Sequence, residues 1–103
     1  MQHYKTMFLK IHKSYRTVVA ICDTDLIEKR FEEGNRQLDL RENFYKDKQI
    51  THKEAVKLIL FQFREDATFN IVGKKAIAAA IEARIITERN VAYIAGIPFT
   101  LIF

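Results

Sequence analysis

The sequence predicts an α+β fold: a single domain over residues 1–103, with an N-terminal and a C-terminal β-hairpin in a mostly antiparallel sheet packed by about three helices, in the order ββαβααββ. Three observations predict it. Apolar residues alternate with polar ones near both ends of the chain, the period of a half-buried strand. A capped stretch in the middle repeats its apolar residues at helical spacing. Only three glycines and one proline interrupt a chain that is 49% hydrophobic, which leaves little room for flexible linkers.

Taken in order, Met7, Leu9 and Ile11 alternate with Phe8, Lys10 and His12, and Val18-Val19-Ala20-Ile21-Cys22 is a second, β-branched strand. Lys13-Ser14-Tyr15-Arg16 joins them as a hairpin. A turn centred on Ser14-Tyr15 sets Leu9 opposite Ala20 and Ile11 opposite Val18. Asp23-Thr24-Asp25 offers N-caps for a short helix, with Ile27 and Phe31 one turn apart and Gly34 as its left-handed terminator. Leu38 and Leu40 mark a third strand. Residues 41–50 read as a loop that Phe44 and Tyr45 pin to the body.

Thr51-His52-Lys53-Glu54 is a capping box, and Ala55, Val56, Ile59, Leu60 and Phe63 follow at helical spacing. The next helix is expected from Thr68 to about Arg84, with Ala76, Ile77, Ala80 and Ile81 buried and Ala79 and Ala83 allowing close approach. Residues 91–95 and 99–103 form the final pair of strands around the turn Gly96-Ile97-Pro98.

Composition narrows the function classes. Cys22 is the only cysteine, so no internal disulfide forms, and a reducing compartment fits. The start of the chain lacks the apolar run of a secretory signal, and no stretch approaches the ~20 apolar residues of a membrane span. The expectation is a cytoplasmic protein with no membrane partner.

The net charge of +4 is unevenly placed. Lys5, Lys10, Lys13 and Arg16 precede Asp23 with no acidic residue among them. From residue 23 onward, thirteen basic residues balance thirteen acidic ones.

The order of elements, the stretch Asp66-Ala67-Thr68 leading to Asn70-Ile71-Val72-Gly73, the Ala-rich helix after it and the turn Gly96-Ile97-Pro98 resemble the archaeal domain of unknown function family 424. The similarity runs roughly from Met7 to Phe99. It implies an archaeal cytoplasmic source and a compact α+β fold, and it carries no activity. Relatives often have histidine straight after the proline of that turn. This chain has Phe99, so no role resting on that histidine carries over.

The residues that could bear chemistry are few. His3, His12, His52 and Cys22 include no pair at zinc-ligand spacing, so no metal and no cofactor is expected. Cys22 and His12 fall at opposite ends of the first hairpin, too far apart for a nucleophilic dyad. Gly73-Lys74 within residues 68–75 fails the phosphate-loop pattern, which wants glycine at Thr68 and a hydroxyl residue at Lys75. The carboxylate pairs Glu32-Glu33, Glu65-Asp66 and Asp23/Asp25 sit where helix ends and turns ordinarily carry charge.

The remaining feature is the basic hairpin. His12, Lys13, Tyr15 and Arg16 gather at one loop, Lys10 extends that field, and Lys74 and Lys75 can add to it. Cations contact phosphates and aromatic rings stack on unpaired bases. The preferred expectation is therefore a non-enzymatic binding module for RNA or a ribonucleoprotein. The alternatives are a small-molecule enzyme or anion pocket in which Thr68, Asn70 and Lys74 hold an anionic group, and an adaptor or homodimer built on the apolar C-terminal strand.

Overall fold

Alternating apolar residues build the first hairpin of this computed structural model, which describes residues 4–103 and so leaves His3 outside. Strands β1 (Met7–Lys13) and β2 (Thr17–Asp23) pair antiparallel across the three-residue loop 14–16. Leu9 lies opposite Ile21 and Ile11 opposite Val19, one residue away from the register that a two-residue turn would impose. Loop length fixes register, and a one-residue slip changes which side chains share a face. Ala20 consequently joins Lys10 on the other side of the sheet.

The helix expected after Asp25 does not form. Thr24–Leu26 makes one 3₁₀ turn, and the chain continues into a hairpin of β3 (Arg30–Glu33) and β4 (Arg36–Asp39). The reason is the partner of Phe31. It packs across the hairpin opposite Leu38 rather than along a helix with Ile27, because the surrounding residues 28–33 are otherwise too charged to supply a buried helical stripe. Gly34 does take a left-handed conformation, φ +63°, but as the first residue of the two-residue hairpin turn.

The pinned loop contains one helical turn, α1 (Glu42–Tyr45), and leads into a short strand β5 (Lys48–Ile50). Helix α2 (His52–Arg64) begins at the expected capping box. The Glu54 N–H donates to Thr51 Oγ1 at 3.1 Å and the Thr51 N–H to Glu54 Oε1 at 2.9 Å.

Residues 68–72 then form strand β6 (Thr68–Val72), and helix α3 (Lys74–Glu82) starts only after Gly73. The sequence Thr-Phe-Asn-Ile-Val is β-branched and aromatic, and it suits a central strand, with Phe69 and Ile71 under the helices. After a 3₁₀ turn at Glu88–Asn90, β7 (Ala92–Ile94) and β8 (Ile97–Ile102) form the closing hairpin. Its turn is Ala95-Gly96, with φ of +51° and +80°, the left-handed pair a tight two-residue hairpin requires. Ile97 and Pro98 belong to the strand.

The main sheet runs β5-β1-β2-β6-β8-β7, antiparallel throughout except for the central pair β2–β6. Helices α2 and α3 cover one face, packing Ala55, Ile59, Ala76 and Ala80 on Leu9, Ile21, Phe69 and Ile71. The other face is covered only in part. Leu40, Tyr45 and the β3–β4 hairpin close over Phe8, Ala20, Cys22 and Val72. No helix among the described residues is long and apolar enough to cross a membrane.

Candidate functional site

Pairing across the sheet decides which sequence-predicted residues meet. Lys10 lies opposite Ala20, which lies opposite Asn70, and His12 is connected in the same way through Val18 to Thr68. Directly paired residues point to the same side, so Lys10, His12, Thr68 and Asn70 share the face opposite α2 and α3, which α1 covers only in part. Lys10 and Asn70 stand two strand spacings apart, about 10 Å. These four residues came from two separate expectations, and the sheet puts them on one surface.

The sides of this open strip are defined. His12 stacks on Phe44 with ring centroids 4.6 Å apart, and its Nε2 is 2.8 Å from the Phe44 carbonyl oxygen. Lys10 Nζ donates to the Asn43 carbonyl at 2.8 Å. On the far side, Leu101, paired with Asn70, and Phe103 are both exposed. At the hairpin tip Tyr15 is fully exposed and Lys13 is exposed. Arg16 is tied down, its Nη2 donating to the Asp66 carbonyl oxygen at 3.0 Å and lying 3.7 Å from Asp66 Oδ1. An acidic neighbour thus offsets one of the two fixed charges of the tip.

Lys74 and Lys75 stand elsewhere. They open α3 beyond the carboxyl ends of β2 and β6, whereas the tip lies at the amino end of β2. Six residue steps along β2 separate the two ends, about 20 Å. Thr68 and Asn70 are likewise separated from Lys74 by β6, so the three do not line one pocket.

The amino end of α3 is occupied from within. The Asp23 carboxylate, at the end of β2, accepts from the Lys75 N–H at 3.1 Å and the Ala76 N–H at 2.8 Å. It satisfies two of the free donors of the helix start and places a negative charge at the positive end of its dipole. Gly73 makes this possible. Its φ is +111°, and a Cβ there would overlap the Asp23 carboxyl group. Burial pushes the Asp23 carboxyl above the ordinary aspartate range, with Asp25 acting in the same direction; the two N–H donors and the Lys75 charge pull the other way but do not prevail.

Beside this capped end, Tyr4, Thr6, His52, Lys53, Lys74, Lys75 and Ala78 line a cavity of about 530 Å³. His52 Nε2 is held 2.8 Å from Glu82 Oε1.

Cys22 is fully buried, and desolvation, aided by the charges of Asp23 and Asp25, pushes its thiol up to about 12. It packs opposite Phe8, four residues along β1 from His12, or roughly 13 Å. No dyad forms between them. Among the described residues no group of three or more His, Cys, Asp or Glu side chains could hold a metal ion.

Sequence reasoning missed two features. Asp23 reads locally as a cap for its own following segment, because nothing in the sequence links it to a helix 52 residues away. Lys53 joins Lys74 and Lys75 only because α2 and α3 both start at the same end of the sheet. The sole local hint was Gly73, a glycine between a strand and a helix.

The β8 strand, expected as an open apolar edge, lies inside the sheet between β6 and β7. The β7 edge is covered by side chains of the second hairpin. Arg36 Nη2 donates to the Tyr93 carbonyl at 2.9 Å, and Glu33 Oε1 accepts the Ala95 N–H at 2.7 Å.

Residues 12–103 match a family model described as "Protein of unknown function (DUF424)". The fold is similar to the crystal structure of an uncharacterized conserved protein from Methanopyrus kandleri. The two chains are 25% identical with a TM-score of 0.85, over 93% of this chain and 89% of that one. No curated protein matches the chain.

Proposed function

The chain belongs to the DUF424 family, and we propose that within it this protein is a non-enzymatic binding module for single-stranded RNA, which lies on the open half of the sheet and is met first by the hairpin tip. One observation supports this reading above the others. Lys10, His12, Thr68 and Asn70 share a partly open sheet face that is flanked by the exposed Leu101 and Phe103 and leads to Lys13 and Tyr15.

Each part suits an unpaired strand. A sheet face presents side chains at regular intervals, about 5 Å across strands and 7 Å along them. The amide of Asn70 can donate to and accept from a base edge, and the ring of Phe103 or Tyr15 offers a stacking surface. Lys13, which makes no ion pair among the described residues, supplies a phosphate contact.

The test is fluorescence anisotropy with a labelled single-stranded oligoribonucleotide at several salt concentrations. Binding should weaken steeply with salt, and the Lys10→Ala/Lys13→Ala double variant should bind about tenfold more weakly with a shallower salt slope. An affinity that survives this double change, or Asn70→Ala together with Tyr15→Ala, removes the sheet face from the reading.

A further inference from the structure

From the cavity at the opposite end of the molecule we infer a second, separate site, for a small phosphorylated ligand of nucleotide size. Its cationic lining carries the argument. Lys53 comes from the first turn of α2 and Lys74 and Lys75 from the first turn of α3, so two helices contribute three lysines to the lining of one concavity of about 530 Å³. That volume lies within the range of small-molecule and cofactor sites. Among the described residues none of the three lysines has a carboxylate within ion-pairing distance.

Like charges so grouped repel one another unless an anion joins them. Three nearby carboxylates each hold a hydrogen bond within the protein and, among the described residues, none forms an ion pair with a lysine of the cavity. Asp23 accepts from the α3 backbone, Glu54 closes the α2 capping box, and Glu82 holds His52. Asp25 lies beyond Asp23, in a neighbouring cavity that shares Lys74. Because Asp23 already fills the helix start, the attraction for a ligand comes from the side chains and not from free N–H groups.

The other lining residues set the ligand class. His52, oriented by Glu82, presents the free edge of its imidazole at the cavity. Tyr4 is largely exposed at the cavity and presents an aromatic ring together with a hydroxyl, while Ala78 provides an apolar patch. Three lysines and one aromatic surface fit a molecule with two adjacent phosphates and a flat ring system. The position agrees with the tendency of α/β sheets to bind ligands beyond the carboxyl ends of parallel strands, here β2 and β6.

Isothermal titration calorimetry tests this with ADP, inorganic pyrophosphate and adenosine as separate probes. The expected result is binding of ADP that Lys74→Ala/Lys75→Ala weakens by about tenfold or more and Lys10→Ala/Lys13→Ala leaves unchanged. Pyrophosphate should bind more weakly than ADP, and adenosine more weakly still. Circular dichroism melting of the Lys74→Ala/Lys75→Ala variant should match the parent chain, since both side chains are exposed. No ADP binding at millimolar concentration, or equal binding by parent and lysine variant, overturns the site. Equal affinity for ADP and pyrophosphate overturns the nucleotide-sized ligand. RNA binding measured on the same variants reads the sheet face independently, so either site can fail alone.

Discussion

Replacing Asp23 with alanine removes the side chain that joins β2 to α3. Hydrogen bonds to a charged group contribute about 1.5–3 kcal/mol each, and loss of a helix cap costs about 0.5–2 kcal/mol. Relief from burying a carboxyl group offsets part of this, so a net loss of about 2 kcal/mol is expected, or roughly 8–16 °C in Tm for a domain of this size. Gly73→Ala acts on the same contact from the other side. It forces a side chain into φ +111° and into the space of the Asp23 carboxyl, and about 3 kcal/mol is expected. In the double variant the overlap disappears, so the combined cost should fall short of the sum by about 1 kcal/mol. Urea denaturation followed by circular dichroism measures all three.

The pH dependence gives a further check. Burial raises the Asp23 pKa, so the folded state holds this proton more tightly than the unfolded chain does. Its contribution is therefore largest in acid and declines as pH rises out of the usual aspartate range. The gap between the parent chain and Asp23→Ala should narrow as pH rises through and above the ordinary aspartate range. A gap that widens would mean that the N–H donors outweigh burial. Additive costs in the double variant, or a loss below about 0.5 kcal/mol for Asp23→Ala, would refute the cap.

Cys22 and Tyr45 are both buried in the cluster beneath the second hairpin, and burial raises both pKa values. Since the folded thiol ionises only near 12 against 9.0 when exposed, Cys22 alone should lower stability by about 2–3 kcal/mol at about pH 11, with full stability regained below pH 9. Alkaline melting curves test this, and iodoacetamide labelling at neutral pH should be slow unless the chain is unfolded; rapid labelling contradicts it. Asp66→Asn weakens the exposed pair with Arg16 and should change stability by less than about 1 kcal/mol. On the proposed RNA reading the same change should raise RNA affinity about twofold at low salt, and unchanged or reduced affinity would show that phosphates do not approach that end.

Local signals were legible where the chain satisfies itself locally. The α2 capping box, the alternation of β1 and the Ala-rich face of α3 are written within a few residues each. Residues 68–72 show the limit. Thr68-Phe69-Asn70-Ile71-Val72 reads as the approach to a helix when Asn70 and Thr68 are taken as caps. It becomes a strand because β2 lies beside it to complete a parallel pair. Phe31 is similar, since its partner Leu38 is recognisable only once Gly34 is read as a hairpin turn. Of the candidate residues, those on the first hairpin lie near one another because two paired strands and one short loop carry them. The convergence of Lys53 with Lys74 and Lys75 depends on two helices beginning at the same end of the sheet, and no spacing in the sequence encodes that.

The sequence concentrates its surplus positive charge in the first 22 residues, yet the fold does not deliver one basic face. The length of β2 sets Lys13 at one end and the cavity lysines at the other, about 20 Å apart, beyond the screening length of physiological salt. Asp66 offsets Arg16 at the first end, and Asp23 is turned inward at the second. Among the described residues, Lys13 at one end and Lys53, Lys74 and Lys75 at the other have no carboxylate within ion-pairing distance, and the two ends are electrostatically independent. A small anion bound at the cavity therefore has almost no electrostatic effect at the hairpin tip. Only a partner long enough to span the sheet can couple them, and such a partner would lose affinity on mutation at either end.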